Sequence, residues 1–217
     1  MVRTKICCIR DENELALAVR AGAAALGFVS HMPSGPGVIS EDVIARLTAA
    51  TPFPVYSEVL TSLTTADELV AQVERLRPAA LQLCERVAPA VFPELRRRAR
   101  GVRLMQVIHV SDRGALEVAE AYAPLVDALL LDTGRTEGPR RELGGTGRTH
   151  DWSVDAEIVR RVQVPVFLAG GLNAANVGEA IATVRPFGVD VCTGVRTDDR
   201  LDPDKLHRFM AAVRAAG

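Results

Sequence analysis

The sequence predicts an α/β fold, a single-domain (β/α)8 TIM barrel that spans residues 1–217. Two observations predict it: short apolar runs with strand character alternate with longer amphipathic stretches, and there are eight runs of each kind. Strands that alternate with helices are typical of parallel βαβ units, and eight such units close a barrel. A chain of 217 residues is long enough to bury the core of one such domain. An open, doubly wound sheet is the alternative.

The eight predicted strands are apolar runs bounded by turn or helix-start residues. The segments that separate them are long enough for one helix each. In chain order the strands are Lys5–Ile9, Ala25–Val29, Pro54–Leu60, Ala80–Leu83, Leu104–Val110, Ala128–Asp132, Val166–Ala169 and Val189–Thr193.

The segments between the strands carry helix signals. The first, DENELALAVRAG, begins with acidic residues, repeats apolar residues at helical spacing and ends at Gly22. Ser40, Thr65 and Ser153 are predicted N-caps. Asp202 followed by proline predicts a last helix over Asp202–Ala215.

Composition and charge exclude several classes of function. The formal net charge is −1, so we expect no nucleic-acid partner. The four cysteines show no Cys-x-x-Cys spacing, so neither a disulfide framework nor a metal site is predicted, and a reducing cytoplasm is the expected location. Because we find neither a signal peptide nor an apolar stretch of membrane-spanning length, we also expect no membrane partner.

Three late segments are rich in glycine and follow consecutive predicted strands. They read GGTG, AGGLN and CTGV, and the first lies in the long irregular segment after the sixth strand. Glycine allows backbone N–H groups to approach an anion, and barrels frequently bind phosphate with the loops after strands seven and eight. Tight turns are the alternative explanation. The predicted phosphate-binding residues are Gly145, Thr146, Gly147, Gly170, Gly171, Thr193 and Gly194.

Two residues at predicted strand ends could exchange protons with a substrate. Asp132 closes the apolar run DALLLD, where an acid is costly unless it is solvated or useful; a loop cap or an ion pair with Arg135 is the alternative. Cys7 could act as a base if its pKa were lowered, but for an isolated buried cysteine the pattern alone favours an inert core residue. Strand alternation allows only one of Cys7 and Cys8 to face the barrel interior.

The sequence blocks resemble those of phosphoribosylanthranilate isomerase. The blocks KIC, GFV, LQL, LLLDT, GGTGRTHDW, LAGGLNAANV, RPFGVDV and TGV occur in the order of that family along the whole chain. The resemblance implies a cofactor-independent aldose–ketose isomerase. Its reaction would be the Amadori rearrangement of N-(5′-phosphoribosyl)anthranilate in tryptophan biosynthesis, an aromatic amino acid pathway.

The resemblance also implies roles for individual residues. Asp132 would be the acid that protonates the furanose oxygen, and Cys7 would be the base that removes the C2 proton. Cys8, which replaces a glycine of the family, is expected to point outward to the helical layer. The partner is then a small-molecule phosphosugar substrate, and the chain is expected to be a monomer or homodimer. The remaining predicted pocket residues are Lys5, His31, Gln82, Cys84 and His109.

Departures from the family pattern are concentrated away from the glycine-rich segments. Gly37 stands where the family has an arginine that recognises the anthranilate carboxylate, and Cys84 replaces a histidine. Arg196 stands where glutamate is usual, and Glu58 interrupts an apolar strand. Three functions therefore remain open: the isomerase itself, a paralogue for a different phosphosugar amine in specialised metabolism, and a non-catalytic phosphosugar-binding protein.

Overall fold

The computed structural model describes residues 1–132 and 152–217, and in these ranges eight parallel strands form a closed barrel. The strands follow one another around the barrel in chain order, and the eighth pairs with the first. This confirms the predicted fold class and excludes the open sheet. The strands are β1 (Arg3–Ile6), β2 (Ala25–Val29), β3 (Tyr56–Thr61), β4 (Ala80–Leu83), β5 (Arg103–His109), β6 (Ala128–Asp132), β7 (Val166–Leu168) and β8 (Gly188–Val191).

Eight α-helices lie in the described ranges, one after each strand. Short 3-10 helices at Pro89–Val91, Ala123–Leu125 and Thr193–Val195 and an antiparallel pair, β9 (Arg196–Thr197) and β10 (Arg200–Leu201), complete the fold. The α-helices are α1 (Glu12–Ala21), α2 (Glu41–Ala50), α3 (Ala66–Leu76), α4 (Phe92–Arg98), α5 (Ala115–Tyr122), α6 (Trp152–Arg161), α7 (Val177–Val184) and α8 (Pro203–Ala216).

Most of the predicted helix ends are confirmed. The side chains of Ser40, Thr65 and Asp202 accept hydrogen bonds from backbone N–H groups of the first turns of α2, α3 and α8. Gly22 follows the last residue of α1, as predicted. The prediction for Ser153 is wrong, because α6 already begins at Trp152 and Ser153 therefore lies inside its first turn.

Four of the predicted strands, β1, β5, β7 and β8, end earlier than their apolar runs do, β5 and β7 by one residue only. β1 ends at Ile6 rather than at Ile9, and β8 ends at Val191, so Thr193 belongs to the 3-10 helix that follows. The two strands are in register up to the pair Ile6–Val191. Consequently Cys7, Cys8 and Cys192 lie just beyond the barrel, at its carboxyl-terminal mouth.

Buried apolar side chains form two clusters, one on each side of the barrel wall. The larger cluster fills the layer between strands and helices, and the smaller one fills the barrel interior. The interior also contains a buried polar group, in which the Lys5 ammonium donates to Gln82 Oε1 at 2.5 Å and to Asp190 Oδ2 at 3.0 Å. Within residues 1–132 and 152–217, no helix has the length and apolar character needed to cross a membrane.

Candidate active site

A cavity opens at the carboxyl-terminal mouth of the barrel, where the active sites of such barrels lie. Its walls come from the ends of β1, β2, β3, β4, β6, β7 and β8, and the segment 32–36 after β2 borders it. All four cysteines of the chain, Cys7, Cys8, Cys84 and Cys192, line this one cavity. The site therefore combines thiols with the loops that the glycine-rich segments after β7 and β8 form.

Cys7 and Asp132 both face the cavity, as their predicted roles require. Cys7 follows β1, where its N–H donates to the Val191 carbonyl of β8 at 2.9 Å. Asp132 is the last residue of β6, and its carbonyl accepts from the N–H of Val110 at 2.8 Å. Backbone pairing thus holds both residues on the barrel rim. A thiol and a carboxyl group on one cavity can exchange protons with the same bound molecule.

The loops after β7 and β8 form the side of the cavity where phosphate binding is predicted. Gly170 and Gly171 have φ values of 83° and 65°, a backbone conformation that favours glycine, and both line the cavity with Thr193. Gly194 packs directly on the other loop: a Cβ there would overlap the carbonyl oxygen of Leu172. The predicted residues Gly145, Thr146 and Gly147 lie outside the described residues.

Lys5 lies beneath the cavity and does not line it, because its side chain is fully buried in the barrel. Burial opposes its positive charge, but the charges of Asp190, Cys7 and Glu58 together raise its pKa above the ordinary value. Glu58 Oε2 lies 3.7 Å from Lys5 Nζ, and desolvation raises the pKa of this carboxyl to about 7 even though Lys5 opposes the shift. The floor of the site therefore carries a lysine ammonium beside acids.

The other predicted pocket residues divide into two groups. Gln82 and Cys84 line the cavity, and burial raises the pKa of the Cys84 thiol to about 12, so this thiol stays protonated at neutral pH. His31 is exposed and His109 is half-buried, and neither side chain lines the cavity. His109 Nε2 lies 3.1 Å from the carbonyl oxygen of Cys84.

The prediction that Cys8 points outward is wrong. β1 has already ended, and Cys8 has a φ of 64°, so strand alternation no longer governs its direction. Its side chain turns into the cavity, where its Sγ lies 3.8 Å from Cys7 Sγ and 3.7 Å from the Pro36 carbonyl. A Cβ at Gly37 would lie only 2.6 Å from the Cβ of Cys8. Cys8 thus occupies the space that a side chain at position 37 would need.

Comparison with known proteins supplies the family. The sequence profile of the family described as N-(5′-phosphoribosyl)anthranilate (PRA) isomerase matches residues 4–212. The N-(5′-phosphoribosyl)anthranilate isomerase of Methanocella arvoryzae is 40% identical over 216 residues, which cover 99% of each chain. The chain belongs to the PRA isomerase family. The predicted family and its enzyme class, an aldose–ketose isomerase, are therefore confirmed.

Solved structures of PRA isomerases share the whole fold. The enzyme of Thermotoga maritima superposes with a TM-score of 0.85 at 29% identity, covering 99% of this chain and 100% of that one. A phosphoribosyl anthranilate isomerase in complex with reduced 1-(o-carboxyphenylamino)-1-deoxyribulose 5-phosphate superposes with a TM-score of 0.83 at 27% identity, covering 99% and 100%. The barrel described here is thus the PRA isomerase barrel from end to end.

Arg196 does not line the cavity but holds the segment after β1 that does, a role that the sequence did not predict. It is buried, forms an ion pair with Glu14 of α1 at 2.9 Å, and donates to the carbonyl oxygens of Cys7, at 3.4 Å, and of Cys8. The only signal was its departure from the glutamate usual in PRA isomerases. That departure did not show that its partner lies on α1, far away in the chain.

Proposed function

We propose that this chain converts N-(5′-phosphoribosyl)anthranilate to 1-(o-carboxyphenylamino)-1-deoxyribulose 5-phosphate, with Asp132 as acid and Cys7 as base. The observation that carries the proposal is that both side chains face one cavity at the mouth of a PRA isomerase barrel. The cavity also exposes the glycines after β7, which suit the phosphate end of such a substrate.

The reaction needs two proton transfers that these residues can perform. Asp132 gives its proton to the furanose oxygen while the bond between that oxygen and C1 breaks, which leaves a protonated imine between C1 and the amine. The Cys7 thiolate then removes the proton on C2, and the electron pair of that C–H bond forms the enolamine. Tautomerisation of the enolamine gives the ketone. Each transfer by a positioned side chain contributes about 10²–10⁴-fold to the rate.

The segments after β7 and β8 support binding of the substrate's phosphate through backbone N–H groups. The segments after β7 and β8 bring Gly170, Gly171 and Thr193 to the cavity, and α7 begins shortly after the first of these segments. Backbone N–H groups and the amino end of a helix both favour an anion. We infer that four further residues complete this phosphate-binding site: Gly194, and Gly145, Thr146 and Gly147 of the segment that follows β6.

A second candidate function follows from the amine end of the cavity. Among the described residues that line it there is no lysine, arginine or histidine, and position 37 has no side chain to offer. Proteins commonly bind a carboxylate, such as that of anthranilate, with an arginine that donates two hydrogen bonds. This observation favours a paralogue that performs the same rearrangement on a phosphoribosylamine with an uncharged substituent.

The test is a fluorescence assay of the purified enzyme with N-(5′-phosphoribosyl)anthranilate, together with complementation of a tryptophan auxotroph that lacks this step. Turnover that falls by about 10²–10⁴-fold in both Cys7→Ser and Asp132→Asn, at unchanged thermal stability, supports the proposal. No turnover by the folded enzyme contradicts it. In that case, turnover of the aniline adduct identifies the paralogue, and phosphosugar binding without turnover identifies the binding protein.

Three attributes of the proposed isomerase stay predictions. The chain is expected to act in the cytoplasm as a monomer or homodimer, with a small phosphosugar as its partner. Light scattering on the purified protein measures its mass in solution directly. A mass above that of two chains contradicts the prediction.

A further inference from the structure

Cys8 and Cys192 are two thiols at the cavity that the proposed mechanism does not use. Cys192 follows β8 and Cys8 follows β1 by one further residue, and these two strands pair with each other up to Ile6 and Val191. The N–H of Cys7 extends this pairing by one more hydrogen bond, to Val191. The fold therefore brings two cysteines that are far apart in the sequence to neighbouring points on the barrel rim.

The surroundings of the two thiols differ. Cys192 is partly exposed, whereas Cys8 is buried and reaches only the cavity. Contact with the Cys8 thiol and the positive charge of Arg196 lower the pKa of Cys192, although burial opposes this shift. Contact with Cys192, and then with Cys7, raises the pKa of Cys8. Cys192 is thus the more nucleophilic and more accessible thiol, and Cys8 is a protonated thiol beside it.

Two other uses of this thiol cluster fit the structure less well. In residues 1–132 and 152–217, no three histidine, cysteine or acidic side chains are arranged to hold a metal ion. A bond between the adjacent residues Cys7 and Cys8 is also disfavoured, because neighbouring Cα atoms lie about 3.8 Å apart and disulfides usually join Cα atoms about 4.4–6.8 Å apart. Of the thiols near Cys8, this leaves Cys192, whose side chain is in contact with that of Cys8.

We propose that Cys8 and Cys192 are an oxidisable pair that a hydroperoxide converts to a disulfide across the mouth of the active site. The Cys192 thiolate attacks hydrogen peroxide, the O–O bond breaks, and one oxygen leaves as water after taking up a proton. The sulfenic acid that results is attacked by Cys8, which loses its proton as the second oxygen leaves as water. Both sulfurs are oxidised and the peroxide is reduced; a dithiol reverses the step.

The disulfide would act on the site by displacing the segments that carry the reacting and binding groups. It would tie the segment after β1 to the segment after β8, beside the thiol of Cys7 and beside Thr193 on the phosphate side. Small displacements of reacting groups are costly to catalysis, so we expect oxidation to lower activity on the order of tenfold or more. The loss of activity rests on the proposed function, whereas formation of the disulfide does not.

The test is to treat the reduced full-length protein with hydrogen peroxide and measure intact mass, linked tryptic peptides and isomerase activity before and after dithiothreitol. We expect the loss of two hydrogen atoms and a link between the peptide with Cys7 and Cys8 and the peptide with Cys192. Dithiothreitol should reverse both the link and the loss of activity. Each variant is compared with its own reduced form, and circular dichroism checks that it is folded.

Matched variants assign the bond. Because Cys7 and Cys8 share one tryptic peptide, Cys7→Ser decides between them: the link should persist in Cys7→Ser and in Cys84→Ser, and should be lost in Cys8→Ser and Cys192→Ser. A link that disappears in Cys7→Ser, or oxidation that stops at irreversible acids with no link, overturns the inference. An inactive reduced enzyme would overturn the proposed function instead, and mass analysis would still report the disulfide.

Discussion

The two sides of the cavity are built in different ways. On the side proposed to bind phosphate (the phosphate side), the loops after β7 and β8 present backbone, and Gly194 packs so closely that a Cβ would overlap the Leu172 carbonyl oxygen. On the side proposed to bind the amine (the amine side), two residues depend on each other: Cys8 fills the space beside Gly37, whose added Cβ would lie 2.6 Å from the Cβ of Cys8. The first side depends on glycine, which has no side chain. The second side depends on which side chain stands at positions 8 and 37.

This difference offers a physical reason for the expectation that departures from the family pattern lie mainly on the amine side. A backbone surface is lost when any glycine gains a side chain, so the glycines after β7 and β8 cannot vary singly. A pair such as Cys8 and Gly37 can change together, since a larger residue at one position requires a smaller one at the other. Substrate preference is therefore easier to change on the amine side than on the phosphate side.

The largest effect is expected from Gly194→Ala. Its methyl group would overlap backbone rather than a mobile side chain, so the two loops must separate, and we expect a loss of about 3–5 kcal/mol in the free energy of unfolding. Urea denaturation measures this, and inhibition by inorganic phosphate reports the phosphate side in whatever fraction stays folded. We expect both stability and phosphate affinity to fall.

Gly178→Ala is the matched control for that substitution. Gly178 lies in the neighbouring helix α7, and a Cβ there meets only the Cβ of Ala216, at 4.0 Å. Alanine is favoured over glycine inside a helix by about 0.5–1 kcal/mol, so this variant should be slightly more stable than the wild type. Equal stability of the two variants would show that the β7 and β8 loops are not held by this close contact.

The sequence predicted the backbone-built parts of the molecule better than the parts built by side chains. Eight strands, the caps at Ser40 and Thr65, and the cavity positions of Gly170 and Gly171 all follow from local patterns of apolar residues, hydroxyls and glycines. The direction of Cys8 did not, because it depends on one left-handed residue immediately after a strand. Apolar runs show where a strand is, but not at which residue it ends.

The sequence also did not predict the polar contacts between residues that are far apart in the chain. Arg196 pairs with Glu14, a residue 182 positions away, and Lys5 contacts Asp190 across the seam that closes the barrel. Each partner is an ordinary charged residue in its own segment, and only closure of the barrel brings them together. The sequence could suggest that a buried lysine needs a counter-charge, but could not say which acid supplies it.

The next effect tests the interlock between Cys8 and Gly37. Gly37→Ala should lower the free energy of unfolding by about 3 kcal/mol, from backbone strain at its φ of 85° and from the clash with Cys8. In a Cys8→Gly background the contacts with the Cβ and Sγ of Cys8 are gone, and the strain and a 3.1 Å approach to the Cα of residue 8 remain, so the same substitution should cost less. We expect a coupling energy of about 1–2 kcal/mol between the two positions by double-mutant cycle.

Gly35→Ala separates strain from clash. Gly35 has a φ of 104° but no atom within 4 Å of its added Cβ, so it shows strain without contact. Its cost should not exceed that of Gly37→Ala in the Cys8→Gly background, where a 3.1 Å approach to the Cα of residue 8 is added to the strain. If the cycle instead gives additive effects, Cys8 does not limit position 37, and the proposed reason for the missing side chain fails.

The smallest effect concerns Glu58, on the floor beneath the cavity. Burial raises its pKa from 4.5 to about 7, so at intermediate pH the native protein holds a proton there that the unfolded chain has released. The free energy of unfolding should therefore be highest below the unfolded pKa, fall as pH rises through this window, and level off above the folded pKa. Glu58→Gln keeps the shape but cannot ionise, so it should remove this part of the slope.

Urea denaturation at about pH 5 and about pH 8 gives the change in the free energy of unfolding between these two pH values. We expect this change to be about 2 kcal/mol larger in the wild type than in Glu58→Gln. Glu74→Gln, an exposed glutamate of α3, is the matched control and should leave the pH dependence unchanged. A wild-type slope that survives in Glu58→Gln would mean that Lys5 keeps Glu58 ionised throughout. At neutral pH the floor of the cavity would then carry an ionised Glu58 beside the Lys5 ammonium, and the choice between the two candidate substrates would depend on Cys8 and Gly37 alone.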